Sequence, residues 1–172
     1  MGMMPLWGTV TPFAMTSGSQ FRLPPPPPLF QWEYVRAINE VTALGAKDSA
    51  LRTPEQTQIA YFWADSPGTV TTVGRWNEIA QDSAIRRSLG LETNARLFAT
   101  LNVALADAGI SAWDTKYYYS FWRPITAIRE GGVSGKPPIG PEAKWTPELM
   151  TPAFPEYASA HSTFSGAGAE VL

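Results

Sequence analysis

Apolar residues recur at helical spacing from residue 32 onward. Glu33 to Leu44 carries Tyr34, Val35, Ile38, Val41 and Leu44, with Gly45 as its stop. Thr53-Pro54-Glu55-Gln56 predicts a helix start: Thr caps, Pro takes the first position, and an acid and an amide follow. That helix is expected to run to about Asp65 through Ile59, Tyr61, Phe62 and Trp63, ending at Ser66-Pro67-Gly68. Gly74 to Leu89 reads as amphipathic through Trp76, Ile79, Ala80 and Ile85, and its Arg86-Arg87 pair sits where the helix dipole favours cations. Thr93 opens the next helix, with Leu97, Leu101, Ala104 and Leu105 as its buried stripe and Gly109 as its stop. Ser111 then caps a separate helix containing Trp113, Lys116, Phe121 and Arg123. Residues 131–157 are rich in Pro and Gly and too long for a plain connector. After His161 the helical pattern returns with Phe164, Gly166, Ala167, Ala169, Val171 and Leu172. No strand pattern and no repeat is found, so the expected class is all-α, a helical bundle.

Two domains of unequal character follow from this pattern. Residues 1–31 read as an extended N-terminal arm and residues 32–172 as a partial helical domain. Pro24 to Pro28 must be extended, because fixed φ angles without N–H donors join neither a helix nor a central strand. Trp7, Phe13, Phe21, Leu29 and Phe30 are spaced along the arm, which favours packing on a body over a free proline-rich SH3 ligand. The last helix reaches Leu172 without a polar cap, a Gly or a final-turn cation. The expectation is a homo-oligomer, or a piece whose C-terminal half is supplied elsewhere.

Composition narrows the function. A chain of 172 residues with 44% hydrophobic positions can build a core. Its net charge of −2 gives no basic field for nucleic acid. With no Cys there is no disulfide framework, zinc-thiolate site or thiol nucleophile, and one His excludes a two-histidine metal cage within these residues. No apolar run approaches the roughly 20 residues of a membrane span, and Met1 to Val10 lacks the form of a signal peptide. These absences favour the cytoplasm slightly.

Two segments carry candidate chemistry. In Lys116-Tyr117-Tyr118-Tyr119-Ser120-Phe121-Trp122-Arg123-Pro124, the two cations stand seven apart. Two helical turns would put them on one face, converging on one anion. Arg supplies a planar fork and Lys a point charge, a pair suited to phosphate-like oxygens. Spacing alone favours a solvated basic edge, but the five interleaved aromatics argue against exposure. Buried cations would need an anion nearby. In Phe154-Pro155-Glu156-Tyr157-Ala158-Ser159-Ala160-His161-Ser162, small residues lead into a helix start. Such a start presents N–H groups to an oxyanion, Ser159 can donate a hydroxyl, and His161 can move a proton. Alone, this segment reads more readily as a Ser N-cap followed by a surface or core His.

Lys-x6-Arg-Pro followed about 35 residues later by small-Ser-small-His resembles the vanadium-dependent haloperoxidase / acid phosphatase (type 2 phosphatidic acid phosphatase) superfamily. The family shows K-x6-R-P, P-S-G-H and S-R-x5-H-x3-D. The first is intact as Lys116…Arg123-Pro124; the second stands as Ala158-Ser159-Ala160-His161; the third is absent from these 172 residues. Phe121 to Arg129 and Trp7-Gly8-x-Val10-x-Pro12-Phe13 look like bacterial haloperoxidase-related proteins. The resemblance implies an incomplete helical bundle of the haloperoxidase/phosphatase type. It implies that Lys116, Arg123, Ser159 and the N–H of Ala160 bind vanadate, with phosphate as its analogue, and that His161 is the acid/base. Trp113 and Phe154 match pocket-lining positions, and ordinary aromatic core is an equal reading of both. Ala160 in place of Gly brings a methyl to the anion, and Ala158 in place of Pro loosens the loop.

The implied activity is vanadate-dependent oxidation of halide by peroxide in the parent enzyme, with a small organic acceptor. A phosphomonoesterase acting on a phosphate ester is the sibling reading. A non-catalytic helical anion-binding or interaction module is the third. The His that ligates vanadium in the family belongs to the missing motif, so the chain alone is expected to bind vanadate weakly and to turn over negligibly.

Overall fold

The computed structural model describes residues 2–66, 68–131 and 141–172. Six α-helices lie among them: α1 (Trp32–Gly45), α2 (Pro54–Trp63), α3 (Thr71–Arg86), α4 (Leu91–Tyr119), α5 (Pro124–Glu130) and α6 (Ala160–Val171). No strand occurs among the described residues; one isolated bridge pairs Ala46 with Pro147. The class is all-α, as the hydrophobic spacing predicts. Pro67 and residues 132–140, part of the predicted turn and loop, lie outside the described residues. The chain forms two compact units.

The first unit holds Pro24–Ala64 and Tyr119–Tyr157, with the first residues of the chain. Its core joins Ile38 of α1 to Ala127 and Ile128 of α5 and to Trp145, with Tyr34, Val41, Trp122 and Ile125 packed around them. Tyr34, Ile38 and Val41 of the predicted α1 stripe therefore face inward. At Thr53 the predicted cap is a full capping box: the hydroxyl accepts from Gln56 N–H, and the Gln56 side chain accepts from Thr53 N–H. The C-terminus of α1 leaves carbonyls without intrahelical partners and has no cation in its last turn. Arg52 fills that role from outside: Nη1 donates to the carbonyls of Leu44 and Ala46 at 2.7 and 2.6 Å. Its Nη2 pairs with Glu148 at 2.8 Å, and Tyr61 donates to the same carboxylate. The loop carrying Trp145 and Glu148 is thereby fastened to α1.

The second unit holds Met4–Leu23, Asp65–Tyr118 and Ala158–Leu172. Here α4 runs unbroken for 29 residues, which corrects the expected stop at Gly109 and the expected new cap at Ser111. Gly109 is buried inside the helix. It serves packing: a Cβ there would stand 3.0 Å from the Phe164 ring of α6. α6 also meets α3, where Gly168 faces the indole of Trp76.

Residues 4–23 are held to α4 by charge. Asp107, 6% exposed, accepts the N–H groups of Phe13, Ala14 and Met15 at 2.7, 2.8 and 2.9 Å. Arg22 forks onto Asp114 at 2.7 and 2.8 Å and lies 3.7 Å from the centre of the Tyr118 ring. Burial pushes the Asp107 carboxyl up, but the three N–H bonds together outweigh it and hold the group below its ordinary 3.8. A carboxyl depressed by folding stabilises above the unfolded value and stops doing so as pH falls through the folded one. Asp107→Asn is therefore expected to lose about 2 kcal/mol near neutral pH, and the gap to wild type should close on acidification below 3.8. Urea unfolding on both sides of that pH checks this; a gap independent of pH would contradict it.

Candidate functional site

Lys116 lies in the last turn of α4 and is 1% exposed, the largest fully buried side chain described. Trp113, one turn earlier, is also buried. In the same unit Ser159 is the N-cap of α6, its hydroxyl oxygen accepting from Ser162 N–H at 3.2 Å. That leaves the hydroxyl proton available to donate outward. Ala160 and His161 occupy the first helical positions, whose N–H groups have no carbonyl earlier in the helix to bind. Ala160 is buried and His161 is exposed. The N-cap reading of Ser159 is thus correct and is compatible with a donor role.

The shared-face argument for Lys116 and Arg123 does not hold. α4 ends at Tyr119, Ser120 turns left-handed at φ 46°, and Arg123 is the extended N-cap of α5 at φ −81°, ψ 148°. Pro124 is the cause: a proline disfavours helical geometry in the residue before it and fits the first turn of a new helix. The two cations therefore belong to different helices, and also to different units.

Arg123 and Phe154 fall in the first unit. There Glu156 N–H donates to the Phe121 carbonyl at 3.0 Å, placing the 154–156 segment beside the start of α5. The Glu156 carboxylate meets Arg123 Nη1 at 2.7 Å, and the guanidinium stands 5.5 Å from the centre of the Phe154 ring. Arg123 Nε is buried with no hydrogen-bond partner among the described residues. Burial lowers the guanidinium pKa, and Glu156 pulls it back up. Sequence reasoning missed Glu156. The signal was present as the one charged residue between Glu148 and His161, three residues before Ser159.

The candidate donors are an ammonium, a guanidinium, a hydroxyl and helix-start N–H groups, which suit an oxyanion. No group of three His, Asp or Glu side chains suited to a metal ion occurs among the described residues. No helix among them is long and apolar enough to cross a membrane.

The family model for the VCPO second helical-bundle domain matches residues 96–172. The vanadium chloroperoxidase of Curvularia inaequalis is 36% identical over 155 residues, covering 78% of this chain and 26% of that protein. A crystal structure described as the first bacterial vanadium-dependent iodoperoxidase superposes with a TM-score of 0.79 at 32% identity, covering 99% of this chain and 41% of the other. The chain thus spans about a quarter of the chloroperoxidase's length.

Proposed function

The chain belongs to the vanadium haloperoxidase superfamily, and from that premise we propose that it carries the oxyanion-binding part of an enzyme that oxidises halide with peroxide. The observation behind this reading is the burial of Lys116 at 1% exposed, inside an intact K-x6-R-P motif. An ammonium fixed in that motif supplies a point charge suited to an oxyanion.

Vanadate, when bound, supplies a Lewis-acidic centre that activates peroxide toward halide. The residues of this chain prepare for it. Lys116 offers a point charge, and Arg123 a planar edge of donors. Ser159 donates its hydroxyl, and the Ala160 N–H adds the positive end of α6. His161, exposed at the helix start, holds or delivers a proton. Phe154, 5.5 Å from the Arg123 guanidinium, and Trp113, one turn before Lys116, are the proposed apolar lining, which would lower the local dielectric and strengthen contacts to an anion. Halide, peroxide and a small organic acceptor are the proposed reactants.

The 172 residues contain one histidine, so His161 cannot be both proton carrier and vanadium ligand. The chain is therefore expected to bind vanadate and phosphate competitively and weakly. Assays of bromide oxidation with vanadate, and of aryl-phosphate hydrolysis without it, should both give negligible turnover. Fusing a segment with S-R-x5-H-x3-D should raise bromide oxidation above phosphate hydrolysis. Appreciable bromide oxidation by the 172 residues alone, or a fused protein that only hydrolyses phosphate esters, would overturn the reading.

A further inference from the structure

The Arg123 guanidinium already carries an anion of its own. The Glu156 carboxylate is ion-paired with Nη1 at 2.7 Å, and its position is fixed twice, by that ion pair and by the Glu156 N–H bond to the Phe121 carbonyl. Nε remains buried with no partner among the described residues. A guanidinium has five N–H donors on a rigid plane, so it can hold a second acceptor beside the first. Any anion on its Nε edge then sits within one guanidinium width of Glu156. The two negative groups would share one positive charge.

Resting on the oxyanion reading above, we propose that Glu156 sets the charge selectivity of the Arg123 subsite, favouring singly charged tetrahedral oxyanions over doubly charged ones. The attraction to the single charge of Arg123 and the repulsion from Glu156 both scale with the charge of the ligand. Without Glu156, a dianion gains most from the cation. With Glu156 in place, the pair is nearly neutral, and that gain is cancelled. The selectivity has chemical meaning. Orthovanadate keeps its second proton to higher pH than orthophosphate, so near neutral pH vanadate is mostly the monoanion whereas phosphate carries a large share of dianion. A carboxylate on Arg123 would tilt the shared scaffold toward vanadate and away from phosphate.

The magnitude is bounded by exposure. The Arg123 and Glu156 side chains are 24% and 38% exposed, so water and salt screen the repulsion. At roughly 6 Å and a dielectric between protein and water, one added charge on the ligand changes affinity about tenfold. Glu156 acts through Arg123 and the field around it, so it is a positioning and selectivity residue.

The test uses the whole 172-residue chain, its Glu156→Gln variant and anions of fixed charge. Gln keeps the shape and an oxygen beside Nη1 and removes the charge. Perrhenate is a tetrahedral monoanion and sulfate a tetrahedral dianion, and neither gains a proton near neutral pH. Calorimetric titration should show that E156Q lowers the ratio of sulfate to perrhenate dissociation constants about tenfold. Phosphate should gain more than vanadate in the same variant. Glu156→Ala should shift the ratio in the same direction even if Gln disturbs the loop. An unchanged ratio, or equal weakening of both anions, would overturn the proposal and leave Glu156 as a simple prop for Arg123. If the wild-type chain binds vanadate and phosphate but the ratio does not move, only the selectivity proposal fails. If neither protein binds any of the four anions, the oxyanion reading fails and this proposal with it.

Discussion

Lys116→Met is expected to leave the fold in place and to weaken vanadate and phosphate binding about a hundredfold. The two effects separate because Lys116 is buried by its stem and charged at its tip. Met has a similar unbranched reach, so the packing at the end of α4, where Lys116 is 1% exposed, is largely kept. Removing the ammonium removes its desolvation cost, which partly offsets the loss to its partners in the fold; the net cost is expected at about 2 kcal/mol. Binding has no such offset. A hydrogen bond to a charged group contributes about 1.5–3 kcal/mol, or up to about a hundredfold in affinity. Thermal unfolding and calorimetric titration on the same protein give both quantities. A folded variant that binds vanadate as well as wild type would remove Lys116 from the oxyanion site.

The second large effect lies in α6. Gly168→Ala is expected to cost about 2 kcal/mol, while Gly166→Ala, two positions away, gains up to about 1 kcal/mol. The added methyl is the same in both. At Gly168 it would drive into the Trp76 indole, within 2.6 Å of Cε3. At Gly166 nothing lies within 4 Å, so only the better helix propensity of Ala is felt. A gap of about 3 kcal/mol in urea unfolding is the expected outcome. Equal effects at both positions would mean that α3 and α6 do not pack as described. The prediction bears on function because α6 starts at Ala160: a helix displaced from α3 moves its N-terminus, with Ser159 and His161.

Much of the helical pattern was legible because local signals and packing agree. Thr53-Pro54-Glu55-Gln56 specifies its own cap, and the structure forms it. Tyr34, Ile38 and Val41 share one face and share the core. Legibility failed where a residue has two uses. Gly109 reads as a stop, but its missing side chain makes room for Phe164 in mid-helix. Ser111 reads as a cap, but α4 passes through it. The break at Ser120 was recoverable, since Pro124 already limits Arg123 to extended geometry. The pairing of Arg123 with Glu156 across 33 positions, like the hold of Asp107 on residues 13–15, is made by tertiary structure, and no local pattern specifies it.

The candidate site residues stand in two motifs and not on one helix face. Their spacing suggested convergence through one helix, whereas Lys116 ends α4 and Arg123 caps α5. If these cations serve one anion, they do so as separate donors, and their energies must be coupled through the ligand.

A double-substitution cycle measures that coupling. Vanadate affinity is determined for the wild-type chain, Lys116→Met, Arg123→Met and the double variant. Two donors on one oxyanion predict strong non-additivity, the second substitution weakening binding far less once the first has been made. Two losses that simply add, or an affinity that neither substitution changes, would contradict a common oxyanion for these two side chains.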